Sequence, residues 1–241
     1  MSILEKNIVV AASTLMEVRL LLKQATSFSE LSLNPFTVWS ASFGKLSFYI
    51  VVTGVGKANA SSAITFVMER FSPELVINIG CGGAYIGSGL SVGDIAIATS
   101  EIYGDEGVLT PDGWHSMELI GIPLLKKEES YMNEFPLSPD IYDKAFNTAR
   151  DKDFQVKQGK FITVSTCSGT TAKGEELFRR FGGICENMEG AAIVHTTTRY
   201  GASCLEIRGI SNIVEDRDFT KWNIPLAVER SQQFLLNFLK M

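Results

Sequence analysis

Histidine is scarce in this chain of 241 residues. There are two, His115 and His195, and neither belongs to an H-x-x-x-H or H-E-x-x-H pattern. Cysteine is also sparse: Cys81, Cys167, Cys185 and Cys204, with no C-x-x-C pair. Protein zinc sites need such clustered ligands, so no metal is expected and the thiols read as reduced and mostly buried. Positive charge is in deficit, with 22 Lys+Arg against 27 Asp+Glu and a net charge of −5. A polyanionic partner needs a basic face, so nucleic acid is not an expected partner. No apolar run approaches the roughly 20 residues of a membrane span, and no secretory signal precedes the first strand. Membrane association is therefore not expected and a cytoplasmic location is. The dinucleotide fingerprint G-x-G-x-x-G is missing after the first strand. Gly54-Val55-Gly56-Lys57 is too short for a phosphate loop and is followed by Ala58. It reads as a tight strand-to-helix turn whose backbone is available to line a pocket.

What is present is ordinary globular material, 45% hydrophobic and 20% charged, enough for one domain over residues 1–241. Strand-like and helical stretches alternate. Strands are expected at 8–12, at 46–53, at 75–79 with an end in Gly80-Cys81-Gly82-Gly83, at 94–99, at 159–165 and at 203–210. Helices are expected at 15–24, 57–71, 139–150, 189–200 closed by Gly201, and 225–240. Residues 101–137 carry no period and read as a long functional loop. This βα alternation implies a parallel or mixed sheet with helices on both faces, and ligands in such folds sit where strands end.

Several residues have the right chemistry for a site. Glu17 starts a helix whose other inward residues are apolar; it is either a general base or a partner of the helix dipole. Glu189 opens the helix that follows Asn187-Met188, beside Gly190-Ala191-Ala192, and a carboxylate there can accept both hydroxyls of a cis-diol or merely start the helix. The glycines around Cys81 let main-chain N–H groups approach a ligand, or else let strands pack closely; Cys81 itself has no nearby histidine and is not read as a nucleophile. Asp105 and Glu106 read as a solvated loop, and His195 as a packing histidine.

These pieces occur together, and in this order, in the nucleoside phosphorylase and nucleosidase superfamily. Asn187-Met188-Glu189-Gly190-Ala191-Ala192 and Arg208-Gly209-Ile210-Ser211-Asn212 carry the resemblance. It extends through 9–18, 53–60, 77–94 and 161–170, nearly the whole chain. The chain resembles the branch of methylthioadenosine/S-adenosylhomocysteine nucleosidases. It resembles the futalosine hydrolases more closely, through Gly104-Asp105-Glu106-Gly107-Val108 and the run from Ser211 to Trp222. The resemblance implies a three-layer α/β/α fold with a mixed, partly barrel-like sheet, a homodimer with residues 101–125 near the partner, and no cofactor.

By the same resemblance, Glu17 matches the acid that activates water. Glu189 matches the ribose-binding glutamate and Met188 its neighbour against the sugar, with Asn187, Cys81 and Gly82 also at the substrate. Asn212 stands where the nucleosidases carry an aspartate. An amide can donate to O6 or N7 and accept from N–H, which suits a 6-oxopurine, so hypoxanthine is the expected base. Residues 76–80 lack the arginine with which many phosphorylases hold phosphate, which makes water the expected nucleophile. The phenylalanine that stacks on the base in the nucleosidases is replaced by Ser168-Gly169. The substrate expected is a nucleoside, most closely futalosine, split to hypoxanthine and dehypoxanthine futalosine in menaquinone biosynthesis. Its carboxyphenyl end would meet Arg217 or Arg208, and Trp114 and Ile122 would close over it or reach a neighbouring subunit. The alternatives are a methylthioadenosine/S-adenosylhomocysteine nucleosidase, a purine nucleoside phosphorylase, and a non-catalytic purine-nucleoside binder.

Overall fold

Strand β1 (Ile8–Ala12) has five apolar residues in a row and is buried along its length. Such a run suits a strand covered on both faces, since alternate side chains point to opposite sides. Ile8 and Val10 belong to one apolar cluster and Val9 and Ala11 to a second. Each fully buried aliphatic side chain contributes roughly 1.5–3 kcal/mol. The fold comes from a computed structural model that describes residues 7–31, 33–148 and 155–240.

After β1 come a 3₁₀ turn (Leu15–Glu17), α1 (Arg19–Gln24), β2 (Ser27–Leu31), β3 (Thr37–Phe43), β4 (Leu46–Val52), α2 (Lys57–Phe71) and β5 (Leu75–Tyr85). Next are β6 (Ile95–Tyr103), the hairpin β7 (Val108–Thr110) and β8 (Gly113–His115), the hairpin β9 (Leu125–Lys126) and β10 (Ser130–Tyr131), β11 (Glu134–Pro136) and α3 (Pro139–Thr148). The chain continues with β12 (Val156–Thr163), α4 (Thr171–Phe181), β13 (Cys185–Asn187), α5 (Gly190–Tyr200), β14 (Ser203–Val214) and α6 (Ile224–Leu239).

The main sheet has ten strands. Five of them close on themselves: β5 pairs β13, β13 pairs β12, β12 pairs β6, β6 pairs β14, and β14 pairs β5. β1, β4, β3 and β2 extend the sheet from β5, and β11 pairs with the C-terminal part of β6, beyond the stretch that pairs with β14. Parallel and antiparallel pairs mix. Helices α2 and α5 cover one face with Ile64, Val67, Ile193 and Val194, and α1, α3 and α6 cover the other with Leu21, Ile141, Phe234 and Leu235. The architecture is the expected three-layer α/β/α arrangement around a partly barrel-like sheet.

Several expectations need correction. The helix at 15–24 is broken at Val18 into a 3₁₀ turn and α1. Gly80 to Gly83 do not end β5; the strand runs on to Tyr85. Its glycines are required by what lies against them. A Cβ on Gly80 would stand 2.6 Å from Glu17 Oε1 and 2.7 Å from Arg208 Nη1, and one on Gly82 would stand 2.5 Å from Cys185 Sγ. The irregular stretch contains the end of β6, two hairpins and β11. Asp105 and Glu106 do lie in a solvent-exposed loop, but they are not free: both pair with Lys57, at 2.6 and 2.8 Å, and Asp105 also accepts from the Ser165 N–H. The C-terminal end of the helix expected at 139–150 lies outside the described residues.

β14 also passes the expected end at Ile210, and it carries a bulge. Ile210 pairs with Gly82 and Asn212 with the next residue, Gly83, which leaves Ser211 as the extra residue. A bulge of this kind re-aims the side chains beyond it. Next to it, Gly209 lies against α6, where a Cβ would overlap the Ala227 carbonyl. Gly209→Ala is therefore expected to destabilise the fold by about 2 kcal/mol or more, because backbone on both sides cannot give way. Urea denaturation would measure this; an unchanged midpoint would refute the packing argument.

Candidate active site

The 3₁₀ turn delivers Glu17 to the end of β1, and the side chain is almost fully buried. Oε2 accepts from Ser13 Oγ at 2.7 Å, Thr14 N at 2.8 Å and Thr14 Oγ1 at 3.0 Å. Thr14 and Glu17 form a capping box, so the turn that positions the carboxylate is stabilised by that carboxylate. Oε1 accepts from Cys81 N at 3.2 Å and retains acceptor capacity toward a cavity.

Glu189 is the N-cap of α5. Its Oε1 accepts from Gly56 N at 2.9 Å, so the Gly54–Gly56 turn does contribute backbone to the site. Gly54 and Gly56 adopt φ of 85° and 92°, a region that glycine enters freely. Burial raises the Glu189 carboxyl above its ordinary value, opposed by the Arg208 cation and the Gly56 N–H.

Arg208 links these groups. Its guanidinium is buried, with Nη2 2.8 Å from Glu206 Oε1, Nη1 3.7 Å from Glu189 Oε2, and Nη1 donating to the Cys81 carbonyl at 3.3 Å. Burial disfavours the charge, but Glu206, Glu189 and Glu17 outweigh it and hold the guanidinium protonated. Arg208 borders the cavity, where the sequence suggested it for a substrate carboxylate, but its charge is already matched inside the protein. Its charge is committed to this protein's own acids.

Asn187 borders the same cavity, and its side chain is engaged within the protein. Its Oδ1 accepts from Glu189 N at 2.9 Å, Gly190 N at 2.7 Å and Thr163 Oγ1 at 3.0 Å, and its Nδ2 donates to Glu101 Oε1 at 2.6 Å. These bonds satisfy the opening turn of α5, so the side chain holds Glu189 in place.

A cavity of about 320 Å³ opens here, and Glu17, Cys81, Gly82, Met188, Glu189 and Asn212 all line it. Arg217 lines it too, with its guanidinium 4.9 Å from the Trp222 ring centre and 5.4 Å from that of Phe219. No carboxylate ion-pairs with Arg217 among the described residues. Asn212 is oriented by its neighbours: Ser211 Oγ donates to Oδ1 at 2.8 Å and Nδ2 donates to the Ile213 carbonyl at 3.1 Å. One N–H remains for a ligand. Trp222 is the aromatic residue of the cavity wall. The Cys81 thiol is pushed up to about 12 by burial and then by Glu17, so it is not poised as a nucleophile. Trp114 and Ile122 do not line the cavity; Trp114 packs edge-on against Phe181 with Arg180 over its ring. Sequence reasoning missed Ser13, Thr14, Ser211 and Glu186. Only the T-x-x-E spacing of Thr14 and Glu17 carried a local signal.

A model of the phosphorylase superfamily matches residues 7–240. The chain belongs to that superfamily. It is 33% identical over 183 residues to the futalosine hydrolase of Acidothermus cellulolyticus, covering 75% of this chain and 70% of the relative. With the futalosine hydrolase of Thermus thermophilus it shares 32% over 196 residues, covering 80% and 81%. With the 5'-methylthioadenosine/S-adenosylhomocysteine nucleosidase of a Geobacillus species it shares 29% over 165 residues, covering 68% and 67%. The crystal structure of the corresponding Neisseria meningitidis nucleosidase superposes with a TM-score of 0.85 at 21% identity, over 98% of this chain and 99% of that one, a likeness of fold. This superfamily member is an enzyme of the N-glycosyl hydrolase class.

Beneath the site, Glu101 and Glu206 are fully buried side by side. Burial, and then the charge of Glu206, raise the Glu101 carboxyl well above 4.5. Glu206 Oε2 has no N–H or O–H partner among the described residues, and a proton on Glu101 supplies one. Neutral Glu101 favours the fold. That contribution is complete below pH 4.5 and is lost as pH rises through the elevated value. Glu101→Gln fixes the neutral state, so the variant should lose less stability than wild type between about pH 5 and pH 8. Urea midpoints at the two pH values test this, and parallel losses in the two proteins would refute it.

Proposed function

We propose that this enzyme hydrolyses the N-glycosidic bond of a 6-oxopurine nucleoside, futalosine, releasing hypoxanthine, as a step of menaquinone biosynthesis. The observation that carries the reading is one cavity holding two buried carboxylates near Arg208, an oriented amide at Asn212, and a cation at Arg217 with no carboxylate partner among the described residues. Glu17 Oε1 takes a proton from water as the water attacks C1′. Glu189 accepts from the ribose hydroxyls while Met188 packs on the sugar, which aligns C1′ with the water. Backbone at Cys81 and Gly82 borders this region. As the sugar becomes oxocarbenium-like, negative charge moves onto the base, where the remaining Asn212 N–H stabilises it. Water rather than phosphate suits the nucleophile position: Glu17 and Glu189 would repel a phosphate dianion, and the charge of Arg208 is already matched by Glu206 and Glu189.

Arg217 distinguishes futalosine from smaller nucleosides. Stacked on Trp222, its guanidinium keeps its in-plane donors for an aryl carboxylate. The names of two relatives above 30% identity favour the same substrate. A cytoplasmic homodimer fits this reading; the exposed Leu109, Leu119, Ile120 and Ile122 give the stretch expected near a partner an apolar surface.

Futalosine, inosine, methylthioadenosine and S-adenosylhomocysteine, each incubated without phosphate, should yield free base from futalosine by preference. Adenine from methylthioadenosine instead would make this the sister nucleosidase, turnover only with phosphate a phosphorylase, and tight retention of intact nucleoside a binding protein. Glu17→Gln should lower kcat by about 10²–10⁴-fold with binding retained, and near-wild-type turnover would remove Glu17 from its role. Arg217→Met should raise KM for futalosine by about tenfold or more while leaving that for inosine unchanged, since a charged hydrogen bond contributes roughly 1.5–3 kcal/mol. Equal effects on both substrates would place Arg217 elsewhere.

A further inference from the structure

One buried carboxylate in the cavity has no part in the mechanism above. Glu186 lies on β13 next to Asn187, is almost fully buried, and lines the same cavity as Asn212. Its position follows from strand register. Glu186 pairs with Gly83 on one side of β5, and Asn212 pairs with the same Gly83 on the other. Residues directly paired across strands point to the same face of the sheet. Glu186 and Asn212 therefore flank a residue without a side chain, their Cα atoms about 10 Å apart at twice the interstrand spacing. The gap has the width of a bicyclic base with a hydrogen bond at each end. A Cβ on Gly83 would intrude on it, 3.2 Å from Asn212 Nδ2.

The carboxylate is held by donors alone. Ser168 N donates to Oε1 at 2.8 Å; Ser168 Oγ and Tyr85 O–H donate to Oε2 at 2.6 and 3.1 Å. Oε2 is satisfied, whereas Oε1 keeps a free acceptor position. Burial, and then the charge of Glu186, push the Tyr85 phenol well above its ordinary value, so Tyr85 remains a donor. The site thus offers a fixed acceptor at one end and the Asn212 N–H at the other. We propose that Glu186 reads the base by accepting the N1–H of a 6-oxopurine, and that it is a specificity-determining residue. A 6-aminopurine presents a bare N1 lone pair there, which a carboxylate repels. The inference rests on the 6-oxopurine reading for its substrate, but its binding arm is independent of turnover.

Two measurements test it. In wild type, hypoxanthine should bind about 10- to 100-fold more tightly than 1-deazahypoxanthine, which replaces N1–H by C–H with little change of shape. Glu186→Met keeps the length of the side chain but removes both carboxylate oxygens, and with them the acceptor at Oε1. It should lower kcat/KM for futalosine by about 10- to 100-fold and narrow or reverse the preference over the same nucleoside carrying adenine. Equal binding of the two bases by wild type, or no binding of hypoxanthine, would overturn the assignment even if the variant failed to fold. So would an equal loss on both nucleosides in a folded variant. Hypoxanthine bound tightly with discrimination, but no base released from futalosine, would sink the proposed reaction and leave Glu186 in its role.

Discussion

A single guanidinium organises this protein's centre. Arg208 is buried among Glu206, Glu189 and Glu17, with Glu101 against Glu206. Several buried acids facing one buried cation are tolerable only if the charges are paired and part of the negative charge is quenched by a proton. Burial and the charge of Glu206 favour that proton on Glu101. Backbone amides serve the rest: Gly56 N for Glu189, Cys81 N and Thr14 N for Glu17. Space is made by omission, since Gly80 and Gly190 have no Cβ where the side chains of Glu17, Arg208, Glu101 and Glu206 must pass. The two outer carboxylates are left with open acceptor positions toward the cavity, and nucleoside hydrolysis requires acceptors there.

The closed ring of β5, β13, β12, β6 and β14 makes this arrangement rigid. Arg208, Glu206 and Asn212 come from β14, Glu101 from β6, Glu186 and Asn187 from β13, and the glycines from β5. Each strand is hydrogen-bonded on both sides within the ring, so no member of the cluster rides on a free edge. Outside this scaffold lie the 3₁₀ turn carrying Glu17, the Gly54–Gly56 turn, the 165–170 segment, Met188 and Glu189 at the start of α5, the Arg217–Trp222 segment, and the first turns of α6. Of these, the 165–170 and Arg217–Trp222 segments are the places where substrate range can change without disturbing the charge cluster.

How much was legible beforehand depended on how local the cause was. β1 and α2 were readable to the residue because apolar runs and helical spacing are local, and α5 because Gly201 marks its end in the left-handed region. β2, α4 and β13 were not. β2 is mostly exposed, α4 has a glycine in its middle, and β13 spans three residues. β2 pairs only with the next strand, β3, whereas α4 and β13 depend on neighbours distant in sequence. At the site, Glu17, Glu189 and Asn212 emerged as carboxylates or amides in unusual settings, and one cavity does bring them together. Arg208 and Asn187 line that cavity too, but the sequence gives their chemistry and not the internal partners that engage them. Glu186 was overlooked because adjacency to Asn187-Met188-Glu189 hid it, and only register with Gly83 reveals where it points.

Register also has a consequence at the bulge in β14. Arg208 and Asn212 are four residues apart, an even separation that in a regular strand would place them on one face. Ser211, the extra residue, changes the parity, so the guanidinium belongs to the ring's buried charges while the amide stands beside Glu186. A relative that lost this residue could keep every apolar contact of the strand and still exchange Asn212 for an aliphatic side chain at the base. Chain length between arginine and amide is therefore as diagnostic of shared chemistry as the identity of either residue.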